Sequence, residues 1–252
     1  MTDQGNNDLV EKLRQNISAL KDPAYASAKA VSILTRASAA RAAEAVEMIL
    51  KETPQSRQSD LAEVLIAITD AVNRDLWPQD HLRKTRSMAL KKDLRLSLRF
   101  LAARDESAPE QEDMERLPPY SDDRTMTLGE RKSLARNPSR HMISLAARDP
   151  DPSVVRILLS NPRLTEDDVV RIAASRDSRP RILKEVACSS KWLLRYRVCI
   201  ALVRNPLTPL DVSLRLISRL RLDELRRTAS DGNLNPSLIR AVEELIRIRS
   251  KD

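Results

Sequence analysis

The chain has 252 residues, of which 41% are apolar, and a net charge of +8, so it can bury a core in one extended domain or two. Its three glycines and two histidines disfavour Gly-rich phosphate loops and zinc sites with several histidine ligands. The longest apolar run, 198–203, is too short to span a membrane. Together with a polar amino terminus, these features predict a cytoplasmic protein without a membrane anchor.

The first part of the chain, 1–103, predicts an amino-terminal helical region. Apolar residues at helical spacing, or frequent alanines, mark five segments: 9–20, 25–35, 39–51, 61–76 and 81–103. The last segment is long enough for one helix or for two. The stretch 104–123 then carries eight acidic residues and several prolines, which predicts a linker. A solvated connector is the favoured interpretation, and a segment that folds over the basic half is the alternative.

The second part of the chain, 124–252, predicts a stack of short helices. Asn-Pro recurs at Asn137, Asn161, Asn205 and Asn235, with spacings of 24, 44 and 30 residues. Such a period is typical of helical repeats, in which short helices are stabilised by their neighbours. The apolar positions predict that seven side chains are buried between units: Leu158, Leu159, Val169, Ile172, Leu202, Val212 and Leu216.

One stretch resembles a known repeat family. Residues 147–165 read ARDPDPSVVRILLSNPRLT, and the words Asp-Pro, Val-Arg, an apolar pair and Asn-Pro resemble the leucine-rich repeat variant. The resemblance covers roughly 128–247, although Cys199-Ile200 stands where Val-Arg is expected. It implies an all-α, right-handed, HEAT-like α-solenoid of short stacked helices. It implies no activity, because a fold does not specify a function.

Positive charge is concentrated in the repeat half. Residues 1–129 hold 19 Lys and Arg against 21 Asp and Glu, whereas residues 130–252 hold 25 against 15, and 21 of those 25 cations are arginines. Equivalent positions of a solenoid line one face, so repeated arginines predict a stripe that binds carboxylate or phosphate groups. The alternative is a solvated, partly ion-paired surface. The predicted binding residues are Arg171, Arg195, Arg204, Arg215, Arg219 and Arg226.

The residues typical of catalysis are sparse. His141 is the one histidine in the repeats, and a surface or packing role fits it better than a nucleophile–base pair. The acidic run 166–168 fits the first turn of a helix better than a metal site. Cys188 and Cys199 fit buried thiols better than a disulfide. We therefore predict no catalytic residue, no metal site and no cofactor.

The sequence predicts a non-enzymatic helical-repeat scaffold. It binds an acidic protein partner through its basic repeat half, and the alternative is a protein that binds duplex nucleic acid. Salt distinguishes the two, because phosphate binding weakens steeply with ionic strength. The face used and the oligomeric state are left open by the sequence.

Overall fold

Every regular element of the described chain is a helix. The computed structural model describes residues 2–52, 59–101 and 126–250 and has no strand within them, which confirms the all-helical fold class. The handedness of the repeat stack stays a prediction, and the acidic linker lies outside the described residues. The first six helices are α1 (Thr2–Ser18), α2 (Pro23–Arg36), α3 (Ala39–Glu52), α4 (Ser59–Asn73), α5 (Gln79–Lys91) and α6 (Arg95–Phe100).

From residue 128 the described helices have nine residues or fewer, except for the last one, which has 14. They are α7 (Leu128–Ala135), α8 (Arg140–Ala146), α9 (Pro152–Leu159), α10 (Glu166–Ala174), α11 (Pro180–Ala187), α12 (Ser190–Leu193), α13 (Tyr196–Val203), α14 (Leu210–Leu216), α15 (Leu222–Ala229) and α16 (Pro236–Arg249). A 3₁₀ turn, Ile217–Arg219, extends α14. Among the described helices, none combines the length and apolar character needed to cross a bilayer.

The chain divides into two compact units, and one of them is made of two separate stretches of sequence. One unit contains Met1–Arg104 together with Leu210–Asp252, and the other contains Asp105–Pro209. The last three helices thus pack with the first six, although their sequence reads as a continuation of the repeats. The second unit is an insertion into the first.

Long-range polar contacts hold the two segments of the first unit together. Arg95 and Arg99 of α6 both form ion pairs with Glu244 of α16, and Arg99 also donates to the carbonyl of Ala241 at 3.2 Å. The buried Arg215 of α14 donates to Asn73 of α4 at 3.0 Å. These contacts join positions more than 140 residues apart, so the carboxyl-terminal helices complete the fold of the amino-terminal ones.

Two helices of the first unit end on an aspartate with positive φ. Asp75 has φ 56° and Asp93 has φ 51°. The amide of Leu94 donates to the carbonyl of Ala89, and that of Asp93 donates to Leu90, which is the Schellman pattern. This turn separates α5 from α6, so the predicted segment 81–103 forms two helices over its described part.

We expect Asp93→Gly to stabilise the protein by about 0.5–1 kcal/mol. Glycine has no Cβ penalty in the left-handed region, and this gain exceeds the extra entropy that glycine adds to the unfolded chain. Urea unfolding followed by circular dichroism checks the value. Asp80→Gly, inside the first turn of α5, is the control and should destabilise.

Two asparagines of the Asn-Pro motif, Asn161 and Asn205, join one repeat to an earlier one by side-chain hydrogen bonds, which we call the ladder. The side-chain amide of the buried Asn161 donates to the carbonyls of Ala135 (2.9 Å) and Asn137 (3.0 Å), at the end of α7. Asn205 repeats this arrangement with Ala173 and Ser175 at the end of α10, both at 2.8 Å. Each asparagine therefore satisfies two helix-end carbonyls of an earlier unit, which would otherwise lack donors.

The ladder explains the spacing of 44 residues between Asn161 and Asn205. Asn161 follows α9 and binds the end of α7, whereas Asn205 follows α13 and binds the end of α10. The two motifs therefore join different pairs of packed helices. The turn after α11 has no Asn-Pro. There the indole of Trp192 donates to the carbonyl of Leu159 at the end of α9, at 2.8 Å.

The core of the repeats agrees with the sequence. All seven side chains predicted to be buried between units are at most 5% exposed. Trp192 is buried and Tyr196 is half-buried. Cys188 and Cys199 are thiols and are not joined in a disulfide; Cys199 is buried, whereas Cys188 is partly exposed.

Candidate functional site

The first turn of α10 is held by a capping box. The backbone amide of Thr165 donates to Asp168 at 3.0 Å, and its hydroxyl accepts from the Asp168 amide at 3.3 Å. The box fixes the Asp168 carboxylate, which is 4% exposed, at the amino-terminal end of the helix. Glu166 and Asp167 precede it on the same turn.

Four arginines converge on this acidic turn. Arg140 of α8 makes a bidentate pair with Asp168, at 2.8 Å for each bond, and Arg171 of α10 binds the same carboxylate. From the start of α13, Arg197 reaches Asp167 at 2.6 Å and Arg195 lies 4.0 Å from Glu166. We call the set Arg140, Arg171, Arg195 and Arg197 the arginine cluster.

Each arginine of the arginine cluster lies near a carboxylate of the acidic turn and is also exposed to solvent. The four side chains are 57–71% exposed, although each lies within reach of a carboxylate. A guanidinium has five N–H donors, and these contacts use one or two of them on each arginine. The remaining donors are available to a carboxylate or phosphate from another molecule.

The environment of Asp168 keeps it charged. Burial alone would raise the pKa of its carboxyl, but hydrogen bonds from Arg140 and Thr165 outweigh burial and leave the pKa well below its usual range. The acidic turn is thus a charged anchor for arginines, in agreement with the helix-start interpretation of 166–168. Across the described chain, no group of three His, Cys, Asp or Glu side chains is arranged to hold a metal ion.

We expect Asp168→Asn to destabilise the protein at neutral pH and to do so less in acid. A carboxyl with a lowered folded-state pKa contributes stability above its unfolded pKa, about 3.9, and this contribution is lost as the pH falls through the folded value. Urea unfolding of both proteins at neutral pH and below pH ~3.9 measures the difference. Asp177→Asn, on an exposed carboxylate of the same unit, is the control; an equal, pH-independent loss in both variants would contradict the assignment.

Three of the predicted binding residues lie in the unit 105–209. Arg171 and Arg195 belong to the arginine cluster. Arg204 is exposed at the end of α13, next to the ladder residue Asn205 and one helix length from Arg195. The structure brings Arg171 and Arg195 together and places Arg204 apart from them.

The other three predicted binding residues lie in the unit that contains 210–252. Arg226 is exposed on α15 and Arg219 is half-buried. Arg215 differs from the prediction, because it is 3% exposed and bound to Asp211 (2.9 Å) and Asn73. Its guanidinium holds α14 against α4 and offers nothing to a partner, so Arg215 is not part of an exposed stripe.

The binding-residue prediction omitted two members of the arginine cluster. Arg140 is 28 residues from Asp168, close to the repeat spacing, and this spacing is the sequence signal that links them. Arg197 is two residues from Arg195, and within a helix this spacing places two side chains on different faces. Arg195 and Arg197 nevertheless reach the same acidic turn, because Arg195 precedes α13 and its backbone is extended rather than helical.

Three comparisons with known proteins give no match: family models, curated proteins and solved structures. The resemblance to the leucine-rich repeat variant therefore rests on the motif words of the sequence and stays a prediction.

Proposed function

We propose that the chain is a non-enzymatic helical-repeat scaffold whose unit 105–209 binds an acidic segment of a protein partner. The main support for this proposal is that basic residues outnumber acidic ones between residues 126 and 209, and that most of the acidic ones are bound within the unit. There are 16 Lys and Arg in this range against 8 Asp and Glu. An anionic partner is the complement of such a surface.

The acidic side chains of this range are almost fully engaged inside the unit. Seven of the eight accept a hydrogen bond or ion pair from a neighbour, either at a helix start or from an arginine. Among the cations, seven have no acidic partner within the described residues: Arg136, Arg148, Arg163, Arg176, Lys184, Lys191 and Arg204. Their charge is therefore available for an interaction with another molecule.

Exposed leucines favour a protein over a nucleic acid as the partner. Leu128, Leu194 and Leu207 are 37–46% exposed, and Leu194 directly precedes the exposed Arg195. Apolar contacts supply affinity at protein interfaces, while surrounding charges supply steering. The two aromatic side chains of this range are buried or half-buried, which disfavours stacking on nucleic-acid bases.

Fluorescence anisotropy with labelled polyglutamate and a labelled DNA duplex tests the proposal. We expect the whole chain to bind polyglutamate and to lose affinity in Arg163→Gln/Arg204→Gln. The control Lys84→Gln/Lys91→Gln removes the same charge from exposed positions of α5 and should bind like the parent. Absence of polyglutamate binding at low salt would overturn the proposal. Duplex binding that falls steeply between about 50 and 200 mM salt would replace it with the nucleic-acid alternative.

A further inference from the structure

The turn between α12 and α13 places an exposed leucine beside the arginine cluster. Leu194 is 46% exposed, whereas its neighbours Trp192 and Leu193 are buried. Lys191 on one side is exposed, and Arg195 on the other belongs to the arginine cluster. This turn therefore shows an apolar side chain in the midst of positive charge.

The arginines of this region occupy places that are unfavourable without an anion. Arg140 is the first residue of α8, Arg195 directly precedes α13 and Arg197 is the second residue of α13. The amino-terminal end of a helix carries partial positive charge, so a cation there is destabilising. The acidic turn of α10 offsets this, but four arginines face three carboxylates, and an excess of positive charge remains.

The carboxylates that bind the arginine cluster restrict which kind of anionic partner can bind there. Asp167 is 69% exposed and Glu166 is 30% exposed, so negative charge stands at the surface between the arginines. A duplex with a continuous row of phosphates would bring its charges against these carboxylates. A peptide with carboxylates separated by apolar residues places charge on arginines and an apolar side chain on Leu194.

We infer that the arginine cluster and Leu194 form one docking surface for a short acidic peptide segment that alternates carboxylate and apolar side chains. The inference rests on the proposed function and names the part of the basic unit that recognises the partner. Because the carboxylates of α10 already hold the arginines in place, binding orders few additional side chains.

Two labelled peptides of equal length and charge test the inference, one alternating Glu with Leu and the other alternating Glu with Ser. We expect the Glu–Leu peptide to bind the whole chain about 3–10-fold more tightly, the gain from covering about half of a leucine side chain. Leu194→Ser should reduce this ratio to about one. Leu194 is on the surface, so circular dichroism should show an unchanged fold.

Matched arginine variants locate the surface. Arg195→Gln/Arg197→Gln should weaken the Glu–Leu peptide about tenfold, the size of a moderate hot spot. Arg36→Gln/Arg83→Gln removes the same charge from exposed positions of α2 and α5, outside the unit 105–209, and should have a small effect.

The outcomes separate the inference from the proposed function. If both peptides bind equally and Leu194→Ser has no effect, or if the two arginine pairs weaken binding alike, the docking surface is wrong and the basic scaffold stands. If neither peptide binds at low salt, both are wrong.

Discussion

Replacing Asn161 with alanine should cost about 2–4 kcal/mol of unfolding free energy. Its amide supplies a donor to each of two carbonyls, Ala135 and Asn137, and each buried carbonyl left without a donor costs about 1–3 kcal/mol. Urea unfolding at constant pH measures the loss. Asn161→Asp should cost more, because a carboxylate would face two carbonyl oxygens without a donor.

Asn137 provides the matched control for this substitution. Its side chain accepts from the amide of Ser139 at 2.9 Å, just as Asn161 accepts from Arg163 at 2.9 Å. Asn137 is exposed and no side-chain donation from it is found within the described residues. Asn137→Ala should therefore lose the turn bond alone. If both variants lose equal stability, the ladder between repeats contributes nothing.

Asp149→Ala should cost about 3–5 kcal/mol, the range for removal of one partner of a buried ion pair. Arg131 and Asp149 are 5% and 2% exposed and their charged atoms lie 2.7 Å apart. The substitution would leave the Arg131 guanidinium buried without its carboxylate. The Nε of Arg131 already has no acceptor among the described atoms, and the charge would keep only its weaker electrostatic interaction with Asp151.

A double substitution distinguishes the buried charge from a packing defect. Arg131→Met in the Asp149→Ala background removes the orphaned cation and should recover part of the lost stability in a double-mutant cycle. Arg156→Met in the Asp149→Ala background is the control, because Arg156 pairs with Glu185 near the surface. Recovery of the same size in both double variants would mean that the Arg131 charge is not responsible.

The sequence predicts the helices and the core well because these follow from local periodicity. It places α2 and α3 within two residues of their observed ends, although it begins α1 seven residues late, and it identifies seven buried apolar positions between 158 and 216. It does not predict the break at Asp93, since aspartate seldom takes positive φ and no glycine marks the turn. The spacing of apolar residues does not reveal a helix end that depends on one unusual backbone angle.

Long-range packing explains the other differences. The sequence predicts Arg215 as an exposed binding residue, but its contacts with Asp211 and with Asn73, 142 residues earlier, make it part of the core. Helix α16 begins with the same Asn-Pro signal as the repeats, yet it belongs with the first unit. For the candidate site, the sequence identifies a basic half, while the choice of arginines depends on contacts such as Arg140 with Asp168.

The insertion of one unit into the other sets an order for biosynthesis. When residue 104 leaves the ribosome, α3 and α5 are present to contact α6, but α14 and α16 have not been made and Arg99 lacks its partner Glu244. The intervening stretch takes on the order of 10 s to translate at typical rates. During this time the whole unit 105–209 is synthesised. The apolar surface of the first unit that later packs against residues 210–252 stays exposed to solvent. A nascent chain paused before residue 210 should therefore recruit more chaperone than one in which residues 210–252 have also emerged.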